Sequence, residues 1–142
     1  MNFRSKMNAA YRLLFGLSTL FAIATIASQA LAATDQPPIP RGVALKSWHE
    51  NGRDGRYLLQ LFQGAPLKAG KPIAGVVTND TDCDADADGL SHCHNTIQLP
   101  NGSQITVINT HRMHSYRCLG AGDRIALTRV KGKWIMGTLA PN

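Results

Sequence analysis

The sequence predicts a mainly β protein, a small five-stranded barrel of OB-like or SH3-like type that follows a cleaved signal peptide. Three observations carry this. From residue 71 onward, β-branched and polar residues alternate in short runs. Glycine-rich turns separate those runs, and no stretch among them has the apolar period of an amphipathic helix. A small open sandwich is the alternative built from the same ingredients.

The N-terminal 32 residues stand outside the fold argument. Arg4, Lys6 and Arg12 give a positive start, residues 13–26 form an apolar run, and Ala30-Leu31-Ala32 is a small-x-small cleavage site. A retained membrane anchor is the competing reading, but Gly16, Ser18, Thr19 and Thr25 interrupt the run, which is short for a span of about 20 apolar residues. The chain therefore divides into a signal peptide at residues 1–32, a proline-rich linker at 33–40 (ATDQPPIP) expected to be an extended, poorly packed tether, and one small β domain at 41–142. No transmembrane segment is expected after cleavage, and the predicted location is periplasmic or secreted.

Residues 41–71 are the least legible. Residues 57–62 (YLLQLF) suit a buried strand, but Gly52, Gly55, Gly64 and Gly70 break the pattern around them. The five strands of the barrel are expected beyond that point, beginning with residues 73–78. Residues 95–99 and 104–108 then flank Pro100-Asn101-Gly102-Ser103, a hairpin signal. A two-residue Asn101-Gly102 turn would mix polar and apolar residues on each face. A three-residue loop with Gly102 left-handed pairs Ile97 with Ile105 and Asn95 with Val107 on one face, and Gln98 with Gln104 and Thr96 with Thr106 on the other. That register sorts the faces and is the one expected. Residues 124–130 and 134–139, joined by Lys131-Gly132-Lys133, complete the set.

Charge excludes little but points somewhere. Without the signal, twelve basic residues stand against nine acidic ones, a balance of +3. That is weak support for nucleic acid, and the few aromatics are dispersed instead of interleaved with the basic residues. The distribution is uneven: no Lys or Arg lies between Lys71 and Arg112, whereas Arg124, Arg129, Lys131 and Lys133 crowd the C-terminal hairpin. A non-metal alternative follows, an interaction module whose basic hairpin meets an envelope protein or an anionic envelope surface.

Inside the stretch without cations, Asp80, Asp82, Asp84, Asp86 and Asp88 fall within nine residues. Such carboxylates repel one another until a cation arrives. Counted from Asp84, oxygen ligands fall at positions 1, 3 and 5 (Asp84, Asp86, Asp88), Gly89 takes the sharp turn, and the Leu90 carbonyl is the seventh position, as in a calcium loop. The match ends there, because Asn95 replaces the bidentate glutamate and the flanks are strands. Ca²⁺ in this EF-like loop is the first expectation. The bland reading is a solvated turn, since Asp and Gly are common turn residues.

His92, His94, His111 and His114 form a second set of candidate ligands, better suited to Cu²⁺ or Zn²⁺. In the expected register Cys93 points inward and His92 and His94 outward, while His111 has inward parity. One site holding all of them would need a bulge or twist. Export would place Cys83, Cys93 and Cys118 in an oxidising compartment with one bridge. Cys93–Cys118 is the expected pair, with Cys83 free, and Cys83–Cys93 is the rival. Catalysis finds little support, since no nucleophile elbow or complete metal-nuclease pattern is present.

Overall fold

Alternation along six strands closes into a ring. The computed structural model describes residues 36–141, so the expected signal peptide at 1–32 lies outside the described residues. The strands are β1 (Arg56–Gln63), β2 (Ile73–Thr81), β3 (Ser91–Gln98), β4 (Gln104–His111), β5 (Arg124–Lys131) and β6 (Trp134–Leu139). They are neighbours in the order β1-β4-β3-β2-β5-β6, with β6 pairing back to β1, and every pairing is antiparallel. The barrel thus has six strands instead of the expected five.

The extra strand is β1, and its sequence explains why it was faint. Tyr57 and Leu59 face the barrel interior, while Leu58 packs outside with Trp48 and Leu90. A strand covered on both faces loses the period-2 signature and reads as a plain apolar run.

The β3–β4 hairpin has the expected register, with Ile97 opposite Ile105, Asn95 opposite Val107, Thr96 opposite Thr106 and Gln98 opposite Gln104. Gly102 has φ 83° and its N–H donates to the Leu99 carbonyl at 3.0 Å, a conformation that excludes most side chains at this turn. Inward residues of all six strands build the core: Leu59, Val77, Ile97, Ile105, Val107, Ile125, Leu127 and Ile135, with Leu67 and Leu119 from the connections. The interior is narrow. A Cβ on Gly75 would meet Ile97 Cγ2 at 2.6 Å, and one on Gly137 would meet Ile125 Cδ1 at 2.6 Å.

Residues 36–40 correct the expectation of a loose tether. The Pro37 carbonyl accepts the Trp48 indole N–H at 2.9 Å, and Ile39 joins Val43, Leu45, Trp134 and Met136 in an outer apolar cluster around Trp48, Leu58 and Leu90. Prolines here shape a packed segment because Ile39 has an apolar surface to cover. Asn51, fully buried, fastens the following turns: its Nδ2 donates to the carbonyls of Leu58 (3.0 Å) and Thr110 (2.7 Å), and its Oδ1 accepts the Leu58 N–H at 2.6 Å.

Candidate functional site

One irregularity in β2 decides which acidic residue enters the barrel. Val77 pairs with Ile97 but Asn79 pairs with Thr96, so Thr78 is an extra residue in the ladder. The bulge shifts parity by one. Asp80 consequently sits opposite Asn95 on the inward face, and Asn95 Nδ2 donates to Asp80 Oδ1 at 2.9 Å. Burial pushes the Asp80 carboxyl above its ordinary pKa, partly offset by the Asn95 hydrogen bond and the nearby His111.

Beyond Thr81 the chain turns through Asp82 in the left-handed region (φ 56°), and Cys83 arrives beside Cys93. The structure joins Cys83 to Cys93 and leaves Cys118 free. The expected Cys93–Cys118 bridge is corrected. Cys93 has the inward parity assigned to it, but its position beside the end of β2, where Thr81 pairs with His94, brings Cys83 to it.

The acidic loop folds upon itself. The Asp86 N–H donates to the Leu90 carbonyl at 2.9 Å, and Asp86 Oδ1 accepts the N–H groups of Asp88 and Leu90, each at 2.9 Å. Asp86 Oδ2 takes His92 Nε2 at 2.9 Å and the Gln36 amide. Desolvation alone would raise this carboxyl, but the hydrogen bonds from Leu90, His92, Gln36 and Asp88 outweigh it and hold its pKa down to about 2. Asp84 and Asp88 are exposed. Among the described residues, one group of three His, Cys, Asp or Glu donors converges, and it is Asp80, Cys83 and Cys93, not the calcium-loop set Asp84, Asp86 and Asp88.

The histidines separate by strand parity. His92 and His94 share the outer face of β3. His92 Nδ1 lies 3.0 Å from Thr110 Oγ1, in addition to its contact with Asp86. His94 Nδ1 lies 3.1 Å from Asp82 Oδ2, and its ring stacks on Phe62 with centroids 4.8 Å apart. His111 is fully buried on the inward face of β4, and His114 is exposed in the loop beyond it. The four histidines are therefore not gathered into one site.

His111 belongs to a different constellation. Its Nδ1 lies 3.3 Å from the Asn109 carbonyl and its Nε2 lies 3.4 Å from Cys118 Sγ. A carbonyl only accepts, so the neutral ring carries its proton on Nδ1 and presents the Nε2 lone pair to the thiol. Burial lowers the His111 pKa. Burial, followed by the charge of Asp80, raises that of Cys118. The segment bearing Cys118 is pinned over the barrel end. Tyr57 Oη donates to the Arg117 carbonyl at 2.6 Å, Asn95 Nδ2 to the Leu119 carbonyl at 3.1 Å, and Gly122 N–H to the Val77 carbonyl at 2.8 Å.

Sequence reasoning missed Asp80, Asn95, Asn109 and the His111–Cys118 contact as one neighbourhood. A signal for part of it was present: Asn95 and Asn109 have the same parity as the apolar Ile97, Ile105 and Val107 in the expected register. Both are fully buried, and Asn95 Oδ1, Asn109 Oδ1 and Asn109 Nδ2 have no hydrogen-bond partner. Such orphaned buried groups are uncommon and mark a place for a further partner. Of the basic hairpin, Arg129 is engaged with the Leu67 carbonyl at 3.3 Å, and Arg124, Lys131 and Lys133 are exposed. No helix among the described residues is long and apolar enough to cross a membrane. In comparisons by sequence and by structure, no family model, curated protein or solved structure matches the chain.

Proposed function

We propose that the protein is an exported small barrel that binds one divalent transition-metal ion on the outer face of β3, through His92 and His94 with the Asp82 and Asp86 carboxylates. The observation that supports this most is the pairing of each imidazole with a carboxylate oxygen from a single loop, at 2.9 Å for His92–Asp86 and 3.1 Å for His94–Asp82. Alternate residues of a strand project from one face about 7 Å apart, a separation that two imidazoles can close around one ion by rotating their rings. Nitrogen and oxygen donors in this mixture suit zinc or copper.

Calcium, favoured by the loop spacing, is the weaker choice on this geometry. A calcium cage needs free oxygen donors. The Leu90 carbonyl and Asp86 Oδ1 already accept backbone N–H groups within the loop, whereas Asp86 Oδ2 faces His92 and is the oxygen the transition-metal reading uses. The Cys83–Cys93 bridge fastens the base of the loop to β3, so less ordering is required when the ion binds. A disulfide of this kind is also what an oxidising compartment permits, in keeping with export.

Isothermal titration of the oxidised protein with Zn²⁺, Cu²⁺ and Ca²⁺ after chelator treatment tests the reading. One equivalent of Zn²⁺ or Cu²⁺ should bind, calcium should bind more weakly, and His92→Ala with His94→Ala should abolish the transition-metal heat. Absence of heat with every ion, or binding untouched by the double variant, rejects it.

A further inference from the structure

We infer that reduction of the Cys83–Cys93 bridge opens a second metal site at the polar end of the barrel, for one thiophilic closed-shell cation such as Zn²⁺ or Cu⁺, held by the two thiolates and Asp80. Donor atoms of Asp80, Cys83 and Cys93 all lie within 4.8 Å of one another, and Cys83 Sγ is 3.3 Å from Asp80 Oδ1. Ligands of one tetrahedral zinc ion with the usual bond lengths stand about 3.3 to 3.8 Å apart. The three donors thus need only small adjustments once the sulfur–sulfur bond is gone.

The surroundings point independently to a missing partner. Asn95 reaches Asp80 Oδ1 with its Nδ2 at 2.9 Å, yet its own Oδ1, fully buried, has none. Asn109 lies opposite Cys93 in the β3–β4 ladder, fully buried, with both amide atoms unpaired. A cation with a coordinated water would give these amides the partners that the apolar core cannot. The same Asn95 amide also holds the Leu119 carbonyl at 3.1 Å, so the segment bearing Cys118 closes over this end. Hydrogen bonding of Asp80 by Asn95 orients the carboxylate as outer-shell partners orient ligands elsewhere.

The chemistry balances with a dithiol as reductant. Its two sulfurs form a disulfide as the Cys83–Cys93 bond breaks, leaving two protein thiols. The entering cation displaces both thiol protons to solvent and stays at its own oxidation state. Exchange with a small-molecule disulfide reverses this: the two protein thiolates take over its sulfur–sulfur bond, it leaves as a dithiol with two protons from solvent, and the ion is released. The bridge therefore acts as a lock on the site, whereas the outer histidine site has no sulfur donor and gives no thiolate signal in either redox state.

Co²⁺ serves as a zinc surrogate because thiolate ligation gives it an intense charge-transfer absorption. The whole protein, reduced with a dithiol and desalted without air, should take one Co²⁺ with that band, and Zn²⁺ should bleach it. Oxidised protein should lack the band even if it binds Co²⁺ at the outer histidines, so failure of either site is read separately. Asp80→Asn should weaken binding about tenfold or more while keeping the band. Cys83→Ser changes the half-buried cysteine and keeps the fully buried Cys93, and it should remove most of the intensity. A reduced protein without the band, a band of equal strength when oxidised, or one unaffected by Cys83→Ser overturns the proposal.

Discussion

His111 Nε2 lies 3.4 Å from Cys118 Sγ at the closed end of the barrel, and the two face each other as neutral groups. Burial lowers the imidazole pKa and raises that of the thiol, and the charge of Asp80 pushes the thiol further up. A thiolate–imidazolium pair, the usual source of a reactive cysteine, is thereby disfavoured. Cys118 should react with iodoacetamide at pH 8 more slowly than a free cysteine, and Asp80→Asn should speed it. Rates equal to or above those of the unfolded chain would contradict this.

The same burial gives His111 a pH signature. A histidine whose pKa is lowered on folding binds its proton more readily in the unfolded chain. Its contribution is fully present above the ordinary imidazole pKa of about 6.5 and is lost as pH falls below that value. Denaturant midpoints should fall between pH 7.5 and pH 5.5, and the fall should be smaller in His111→Gln. An equal slope in both proteins would remove His111 from the account.

Asp86 has its own window at lower pH. Its folded pKa of about 2 lies below the ordinary 3.8, so the stabilisation is complete above that ordinary value and fades as pH drops toward 2. Asp86→Ala also strands the part-buried Leu90 N–H that now donates to the carboxylate, while the exposed Asp88 N–H is left to water. A loss of roughly 1 to 3 kcal/mol at neutral pH is expected. The variant should show a flatter stability profile between pH 5 and pH 2 than the parent, measured by thermal melts.

How much of this was legible varies from element to element. The β3–β4 register could be read because Ile97, Ile105, Asn95 and Val107 sort onto one face under a single loop length. That success carried the inward placement of Cys93 and His111 with it. Asp80 could not be placed, because a bulge at Thr78 reverses parity without leaving a mark in composition. The calcium loop matched in spacing, yet spacing cannot say that Asp86 turns its oxygens to its own backbone and His92. The expected Cys93–Cys118 pair rests on the inward parity of Cys93 and on the chain turning back through Tyr116, whereas the end of β2 sets Cys83 beside Cys93.

The bridge sets a measurable contribution to stability. Cys83 and Cys93 are separated by 10 residues in sequence. Closing a loop of that size is worth about 2.5 to 3 kcal/mol on chain-entropy grounds. Reduction without added metal should lower unfolding stability by up to that amount, and peptide mapping under non-reducing conditions should recover a Cys83–Cys93 linked fragment. Recovery of a Cys93–Cys118 fragment instead would reverse the assignment.

The barrel is narrow around Gly137. Gly137 lies in β6 opposite Tyr57 and Leu127, and a Cβ there would stand 2.6 Å from Ile125 Cδ1 and 3.0 Å from Leu59 Cδ1. Both atoms are side-chain ends, but each belongs to a residue packed in the core, so neither can move without displacing its neighbours. Gly137 lies in a strand and is not among the glycines with positive φ, hence the cost of Gly137→Ala comes from overpacking and not from backbone strain. A loss of about 1 to 3 kcal/mol is expected, partly relieved in the double variant with Ile125→Val, which removes the terminal carbon that clashes first. Urea unfolding of the single and double variants measures this coupling. Additive effects of the two substitutions would show that the barrel at β6 has more room than the packing implies.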